Sequence, residues 1–371
     1  MKKLVLCGGH LSPALAVIEA LGKKADIKIF FFGRRHATEG HNNLSAEYNE
    51  ITATNATFVN IITGRLQRKF STHTIWSLLK IPIGFVESFY YLLKIRPDMV
   101  VSFGSYQSIP TVVCAWLLGI KSIAHEQAII PGLATKINAR FTQKIFLTWA
   151  ESAKYFNGSK IEVVGNLTRG AVFSKTPRDE KIKIFLSADA KKIFVTGGNQ
   201  GSHFINKIIF DILPKLSEFK IIHQVGTTNY GGDLDHAKKI EQTNYLPIGF
   251  IASENIGAIF NKADLVIGRS GANTVWELAT LAKISILIPL PHAAAGEQLQ
   301  NAQLLEHAGS AVVILQKNAT GDKLRNSIDE IYKNQKKYQK NANDFSKKLP
   351  RDGVEKIKKY IIDDFYVRKD N

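Results

Sequence analysis

The sequence predicts an α/β protein made of two Rossmann-like, doubly wound parallel-sheet domains, and three observations lead there. Short apolar runs alternate with helix-length amphipathic segments through nearly the whole chain. The runs are near-continuously apolar without in/out alternation, as in parallel strands covered on both faces. The pattern also restarts near residue 190, with the same opening of strand, Gly-Gly turn and helix. At 371 residues the chain exceeds what one hydrophobic core usually supports.

In order, strands are expected at 3–7, 27–32, 99–103, 122–125 and 145–148, then at 193–196, 221–225, 265–267, 284–288 and 311–315. Segments 273–281 and 298–307 are examples of the intervening helices. The stretch 174–192, with Lys175, Pro177, Arg178, Asp179, Glu180 and Lys181, reads as a polar linker. The Lys-rich tail from Asn334 reads as a solvated helix. The opening MKKLVLCGGH has too short an apolar run for a targeting segment. Glu87 interrupts the apolar stretch 81–95, and 109–120 falls short of the ~20 residues that span a bilayer.

Composition excludes several classes. With 45% apolar and 22% charged residues the chain is globular. Cys7 and Cys114, its two cysteines, form neither a disulfide framework nor a metal-type spacing. A formal charge of +17 calls for an anionic partner or surface: nucleic acid, an anionic leaflet or a phosphorylated substrate. The basic residues are spread along the chain without RNA-type aromatic motifs, so nucleic acid is set aside.

The candidate chemistry lies at strand ends. Gly8-Gly9-His10 follows the first strand, where glycines let backbone N–H groups approach an anion and a helix N-terminus adds its dipole. It lacks the dinucleotide G-x-G-x-x-G pattern. His10 at that edge points to the crevice where open α/β sheets bind ligands, and histidine suits a general base at neutral pH. In the second half, the turn 196–202, with Gly198, Asn199 and Gln200, forms a phosphate cradle without the Walker lysine. Arg269, Ser270 and Gly271 precede a helix carrying Glu277, a carboxylate suited to paired ribose hydroxyls. Gln298 heads a polar helix start after Pro289-Leu290-Pro291-His292, and Phe103–Ser108 and His125-Glu126-Gln127 end strands of the first half. The plain alternatives are turn chemistry for the glycines and dipole preference for Glu277.

Taken together, GGHLSPALAV, VSFGSYQSIP, AHEQ, VVGNLTRGAV, VTGGNQGSHFIN, GRSGANTVWELA and EQLQNAQLLEHAG resemble, in order and spacing, the bacterial MurG family of UDP-N-acetylglucosamine transferases. The resemblance implies the GT-B architecture, two facing Rossmann-like domains with a cleft between them. It sets an acceptor and membrane-associated domain at 1–170, a UDP-sugar domain at 171–350, and a C-terminal helix about 351–371 able to pack back on the first. The implied reaction is inverting and metal-independent: N-acetylglucosamine passes from UDP to the C4 hydroxyl of an undecaprenyl-pyrophosphate-linked N-acetylmuramyl pentapeptide. No cofactor is expected, and no D-x-D cluster stands at a strand end.

By the same resemblance, Glu277 binds the donor ribose, and Arg169, Asn199 and Gln200 meet the sugar-diphosphate. Gln298 reads the sugar hydroxyls, and the Ile251 backbone reads the uracil with Arg269 in the same pocket. Gly8, Gly9, Gly198, Ser270 and Gly271 supply backbone contacts. His10 is the expected base with Glu126 in reserve, and Tyr106, His125 and Gln127 face the acceptor. Three departures stand out: the first loop is Cys-Gly-Gly-His rather than GGTGGH, Ala128 replaces an Asn, and Ser105 replaces a Gly.

The expected location is the cytoplasmic face of the bacterial inner membrane, held peripherally on an anionic leaflet. Arg65, Arg68 and Lys69 beside Ile75, Trp76 and Leu79 have the composition of a headgroup-layer contact, while Phe89 and Leu93 read as core. Two other readings remain open: another nucleotide-sugar enzyme of this fold, such as a 2-epimerase-type isomerase or a glycolipid glycosyltransferase, and a non-catalytic basic binding protein.

Overall fold

The computed structural model describes residues 1–22, 26–36, 44–64, 72–293 and 296–366, with backbone alone at 46 and 72–79. The chain divides into two compact units, Met1–Arg169 with Pro350–Asn371, and Gly170–Leu349.

The first unit contains β1 (Lys2–Cys7), α1 (Leu11–Leu21), β2 (Ile27–Gly33), α2 (Ala46–Thr52), β3 (Thr57–Asn60), α3 (Thr72–Ile95), β4 (Met99–Ser102), α4 (Ser108–Leu117), β5 (Lys121–Glu126), α5 (Leu133–Asn138), β6 (Lys144–Leu147) and β7 (Ile161–Val163). The second contains α6 (Glu180–Ser187), β8 (Lys192–Thr196), α7 (His203–Ile212), β9 (Lys220–Gln224), α8 (Asp233–Lys238), β10 (Tyr245–Ile248), α9 (Ser253–Lys262), β11 (Leu265–Gly268), α10 (Ala272–Thr280), β12 (Ser285–Leu287), α11 (Glu297–His307), β13 (Ala311–Val313), α12 (Gly321–Lys333) and α13 (Gln335–Ser346). The last helix, α14 (Gly353–Tyr366), returns to the first unit.

Strand order is β3-β2-β1-β4-β5-β6-β7 in one sheet and β10-β9-β8-β11-β12-β13 in the other, with every pairing parallel. Both sheets reverse direction of winding once, between β1 and β4 and between β8 and β11. Such switch points are where open α/β sheets bind ligands. The central strands are mostly apolar because both faces are covered, with polar residues such as His125, Glu126, His223 and Gln224 at their ends. In β1, Leu4 and Leu6 join the cluster under α1, whereas Val5 and Cys7 join the one under α3 and α4.

Three strands escape the sequence reading: β3, β7 and β10. All three are sheet edges and only partly buried, so they need no continuous apolar run. Pro247 sits within β10, as an edge strand allows. The expected linker is also partly helical. Asp179 accepts from the Ile182 N–H at the start of α6, and Ile182 and Leu186, one turn apart, are buried.

The terminal segment is not solvated. Ile357, Ile361 and Phe365 of α14 are fully buried beside Leu15, Ile18 and Leu21 of α1. Lys121 pairs with the buried Asp364 at 2.6 Å.

The expected membrane residues Arg65, Arg68 and Lys69 lie outside the described residues. Ile75, Trp76 and Leu79 fall in the first turns of α3, where side chains are outside them too. Phe89 and Leu93 are not core: they are 40% and 49% exposed, beside Ile83, Val86 and Tyr90. The helix faces α4 with Ser88, which bonds Thr111, and buries Leu92 and Ile95, leaving 86, 89, 90 and 93 on the outward arc. Among the described residues no helix is long and apolar enough to cross a membrane.

Candidate active site

In the first unit, three loops meet at the end of the sheet beside the switch point. Gly8 has φ of +124°, and a Cβ there would stand 2.5 Å from the Gly104 carbonyl oxygen. Only glycine lets the loop after β1 lie against the loop after β4 this closely. The Gly9 N–H donates to that same oxygen at 3.3 Å. Behind the loops, Asn138 of α5 donates to Ser102 (3.2 Å) and Ser108 (2.7 Å), and Gly104 N–H donates to Ser102 (3.3 Å). The sequence reading named Ser108 as part of the stretch 103–108 but did not connect it with Ser102 or Asn138.

His10 is thereby placed on the His-Glu-Gln segment. Its Nδ1 lies 2.6 Å from the Gln127 carboxamide. Burial pulls the imidazole down to about 4, so His10 is neutral at pH 7. His125 is only 1% exposed, its Nε2 donating to the Gly165 carbonyl at 3.3 Å, and burial takes it down to about 3. It braces the unit internally. Glu126 is buried as well, and one of its oxygens accepts from the Ala128 N–H at 2.9 Å. Tyr106 presents its ring to the Arg34 guanidinium at 5.4 Å, with its buried hydroxyl unbonded among the described residues. Arg169 is elsewhere. Its guanidinium faces Glu19 near the end of α1 and Glu50 of α2, at 3.7 and 3.9 Å.

Ser105, at the departure from the glycine pattern, takes a left-handed φ of +68°. A non-glycine residue there is strained by about 1 kcal/mol, part of which glycine returns through its freer unfolded chain. Ser105→Gly should therefore stabilise the protein by about 0.5 kcal/mol, read from its urea midpoint.

In the second unit, the turn after β8 is folded around Gly201, whose φ is +86° and whose Cβ would lie 2.1 Å from the Val225 carbonyl oxygen. Thr196 donates to Gln224 (2.9 Å) and accepts from the Gly198 N–H (3.0 Å), while Gln224 donates to Asn199 (3.3 Å). Ser202 caps α7. Ser202 closes the turn 196–202 singled out in the sequence, where a serine before an apolar helical run is a cap signal; Gln224 was overlooked.

Arg269 ties two loops together, donating to Ser202 Oγ and to the Ile288 carbonyl, each at 2.9 Å. Ser270 donates to the Gln298 carbonyl at 2.7 Å, and the Gln298 side chain accepts from the Leu290 N–H at 3.0 Å. Arg269, Ser270, Gln298 and the turn with Gly198 and Asn199 are thus brought together. Gln200 is exposed in the same turn, Gly271 opens α10, and Ile251 is buried just before α9.

Glu277, in the second turn of α10, has no hydrogen-bond or ion-pair partner among the described residues. Burial alone pushes its carboxyl from 4.5 up to about 8. The side chain is half-buried, and a desolvated carboxyl without a protein partner is expected where a ligand supplies the partners. The chain's D-x-D triplet, Asp233-Leu234-Asp235, opens α8, and its carboxylates already hold His203, Asn206 and Asn229.

Known proteins share this arrangement. The glycosyltransferase family 28 N-terminal domain matches residues 7–147, and the family 28 C-terminal domain matches 192–357. The UDP-N-acetylglucosamine–N-acetylmuramyl-(pentapeptide) pyrophosphoryl-undecaprenol N-acetylglucosamine transferase of Treponema denticola is 32% identical over 330 residues, covering 85% of this chain and 83% of the relative. A crystal structure of Acinetobacter baumannii MurG superposes with a TM-score of 0.71 at 22% identity, over 98% of this chain and 99% of that one. A UDP-GlcNAc 2-epimerase from Neisseria meningitidis, bound to UDP-GlcNAc, gives 0.65 at 16%, over 98% and 100%. The fold alone therefore does not separate transferase from epimerase, but the sequence kinship does. The chain belongs to glycosyltransferase family 28, and within it to the MurG family of N-acetylglucosamine transferases.

Proposed function

We propose that this chain transfers N-acetylglucosamine from UDP-N-acetylglucosamine to the C4 hydroxyl of undecaprenyl-pyrophosphoryl-N-acetylmuramyl pentapeptide, inverting the anomeric centre. The observation that carries the reading is the half-buried carboxyl of Glu277, unpartnered among the described residues, in the second turn of α10 in a chain of this family. That carboxyl accepts the two ribose hydroxyls. Backbone N–H groups at the start of α10 face the diphosphate, where the helix dipole favours negative charge. Ile251, Arg269, Ser270 and Gln298 complete the donor site in the second unit. The roles of Asn199 and Gln200 at the diphosphate follow the family pattern, as does that of Arg169.

The first unit takes the acceptor. Its C4 oxygen attacks the anomeric carbon while the bond to the diphosphate oxygen breaks and the electron pair leaves with UDP. The hydroxyl proton passes to His10, which is neutral and so able to accept it. Glu126 is the weaker candidate because its carboxylate already serves its own loop. Transfer of labelled N-acetylglucosamine to a lipid-linked N-acetylmuramyl pentapeptide tests the reading. UDP release without any glycolipid product would overturn it.

The chain works from the cytoplasmic face of the inner membrane, on an anionic leaflet. Ile83, Val86, Tyr90 and Leu93 form one exposed apolar face of α3, with Lys94 over the Tyr90 ring at 5.7 Å. Burying a Val and a Leu in the headgroup layer contributes about 1.5–3 kcal/mol each. Val86→Glu/Leu93→Glu should thus recover at least about tenfold less protein on anionic liposomes. Equal sedimentation of variant and wild type would remove this face from the contact.

A further inference from the structure

A neutral imidazole carries one N–H and one lone pair, and only the nitrogen with the lone pair accepts a proton. The 2.6 Å contact with Gln127 occupies Nδ1 of His10, leaving Nε2 for the reaction. The Gln127 carboxamide can meet that nitrogen in two ways. As placed, the NH2 faces Nδ1 and donates to it, so Nε2 holds the hydrogen and cannot serve as a base, and the Gln127 oxygen is buried with no partner among the described residues. Turned by half a rotation, the oxygen accepts from Nδ1–H and Nε2 presents its lone pair. Each orientation leaves one end of the amide buried, so the tautomer the reaction needs decides between them.

We propose that Gln127 is a positioning residue: by accepting the Nδ1 hydrogen of His10 it fixes the tautomer whose Nε2 removes the acceptor proton. The inference rests on His10 being the base, as proposed above. The other groups around the ring leave it this task. His125 has its Nε2 committed to Gly165 and Glu126 has an oxygen committed to the Ala128 N–H, while the other edge of the His10 ring borders Gly104, which has no side chain. Gln127 itself is 7% exposed, so water does not replace it.

The test is ¹⁵N NMR of the full-length protein with labelled histidine at pH 7, His10 being assigned by its loss in His10→Gln. The expected wild-type signature is a pyrrole-like Nδ1 and a pyridine-like Nε2. Gln127→Leu should shift the population to the Nε2–H form, the commoner one in water. It should also lower kcat by about tenfold to a hundredfold, with KM for UDP-N-acetylglucosamine unchanged. Gln127→Glu should keep the Nδ1–H form, restore kcat, and move the acid limb of kcat/KM upward by about one pH unit, because a carboxylate favours the imidazolium. A wild type with pyridine-like Nδ1, or an unchanged tautomer in Gln127→Leu, overturns the inference. A wild type that carries Nδ1–H yet transfers no sugar sinks the reaction and leaves the tautomer assignment standing.

Discussion

His10→Ala should lower kcat by about 10²–10⁴-fold while leaving UDP-N-acetylglucosamine affinity within about twofold of wild type, as expected when a general base but no donor contact is lost. The reasoning is local. The ring is neutral at pH 7 because burial holds it near 4, and the loops carrying it are locked by Gly8 against Gly104. The alanine variant keeps both glycines, so the loops should survive. Steady-state transfer combined with calorimetric titration of the donor separates the two quantities. A fall in kcat of less than about tenfold would pass the role to another group. The low value also fixes the pH response: activity through His10 persists down to roughly pH 4 and fails below it, where the ring is protonated.

Glu277→Gln should have opposite effects on stability and on binding. The folded carboxyl titrates near 8 against an ordinary 4.5, so the fold favours its neutral form. Between those values an unfolded chain ionises this group and the folded one does not, so wild type loses stability as pH rises through that window. The amide is spared the loss. The variant should therefore match wild type at pH 4 and exceed it at pH 7 by about 2–3 kcal/mol, seen as a higher melting temperature. UDP affinity should fall by about tenfold to a hundredfold, since an amide accepts less well from two hydroxyls than a carboxylate. Wild-type binding at pH 7 should also release a proton as Glu277 ionises against the ribose, whereas the variant releases none. Titration in buffers of different ionisation enthalpy measures this directly. A proton count near zero for wild type would remove the carboxylate from the ribose.

The fold was readable in the sequence because parallel strands buried on both sides carry runs of apolar residues without in/out alternation. Ten central and flanking strands met that condition. The three that were not read, β3, β7 and β10, are edges where half the surface is free. The candidate site was readable for a related reason. Ligand loops in such sheets follow β1, β4, β8 and β11, so glycines and polar residues after apolar runs mark them. What escaped were pairings set by tertiary contact: Asn138 with Ser102 and Ser108 behind the first loops, and Arg269 with Ser202 and Thr196 with Gln224 behind the second. Their side chains act across 30 or more residues in several cases, as with Asn138 and Ser108, and no local pattern announces that. The exposure of Phe89 and Leu93 was missed because a helix this apolar gives no clear polar face from which to count.

The return of α14 to the first unit orders the events of synthesis. Ile357, Ile361 and Phe365 fill space beside α1, yet the ribosome delivers them only after the entire second unit. The N-terminal half must wait on the tunnel with an apolar groove open, so it is the later-made half that completes folding first. Chaperone dependence during translation should therefore concentrate on the N-terminal half, and a nonsense codon just before residue 353 should unsettle residues made more than 300 positions earlier.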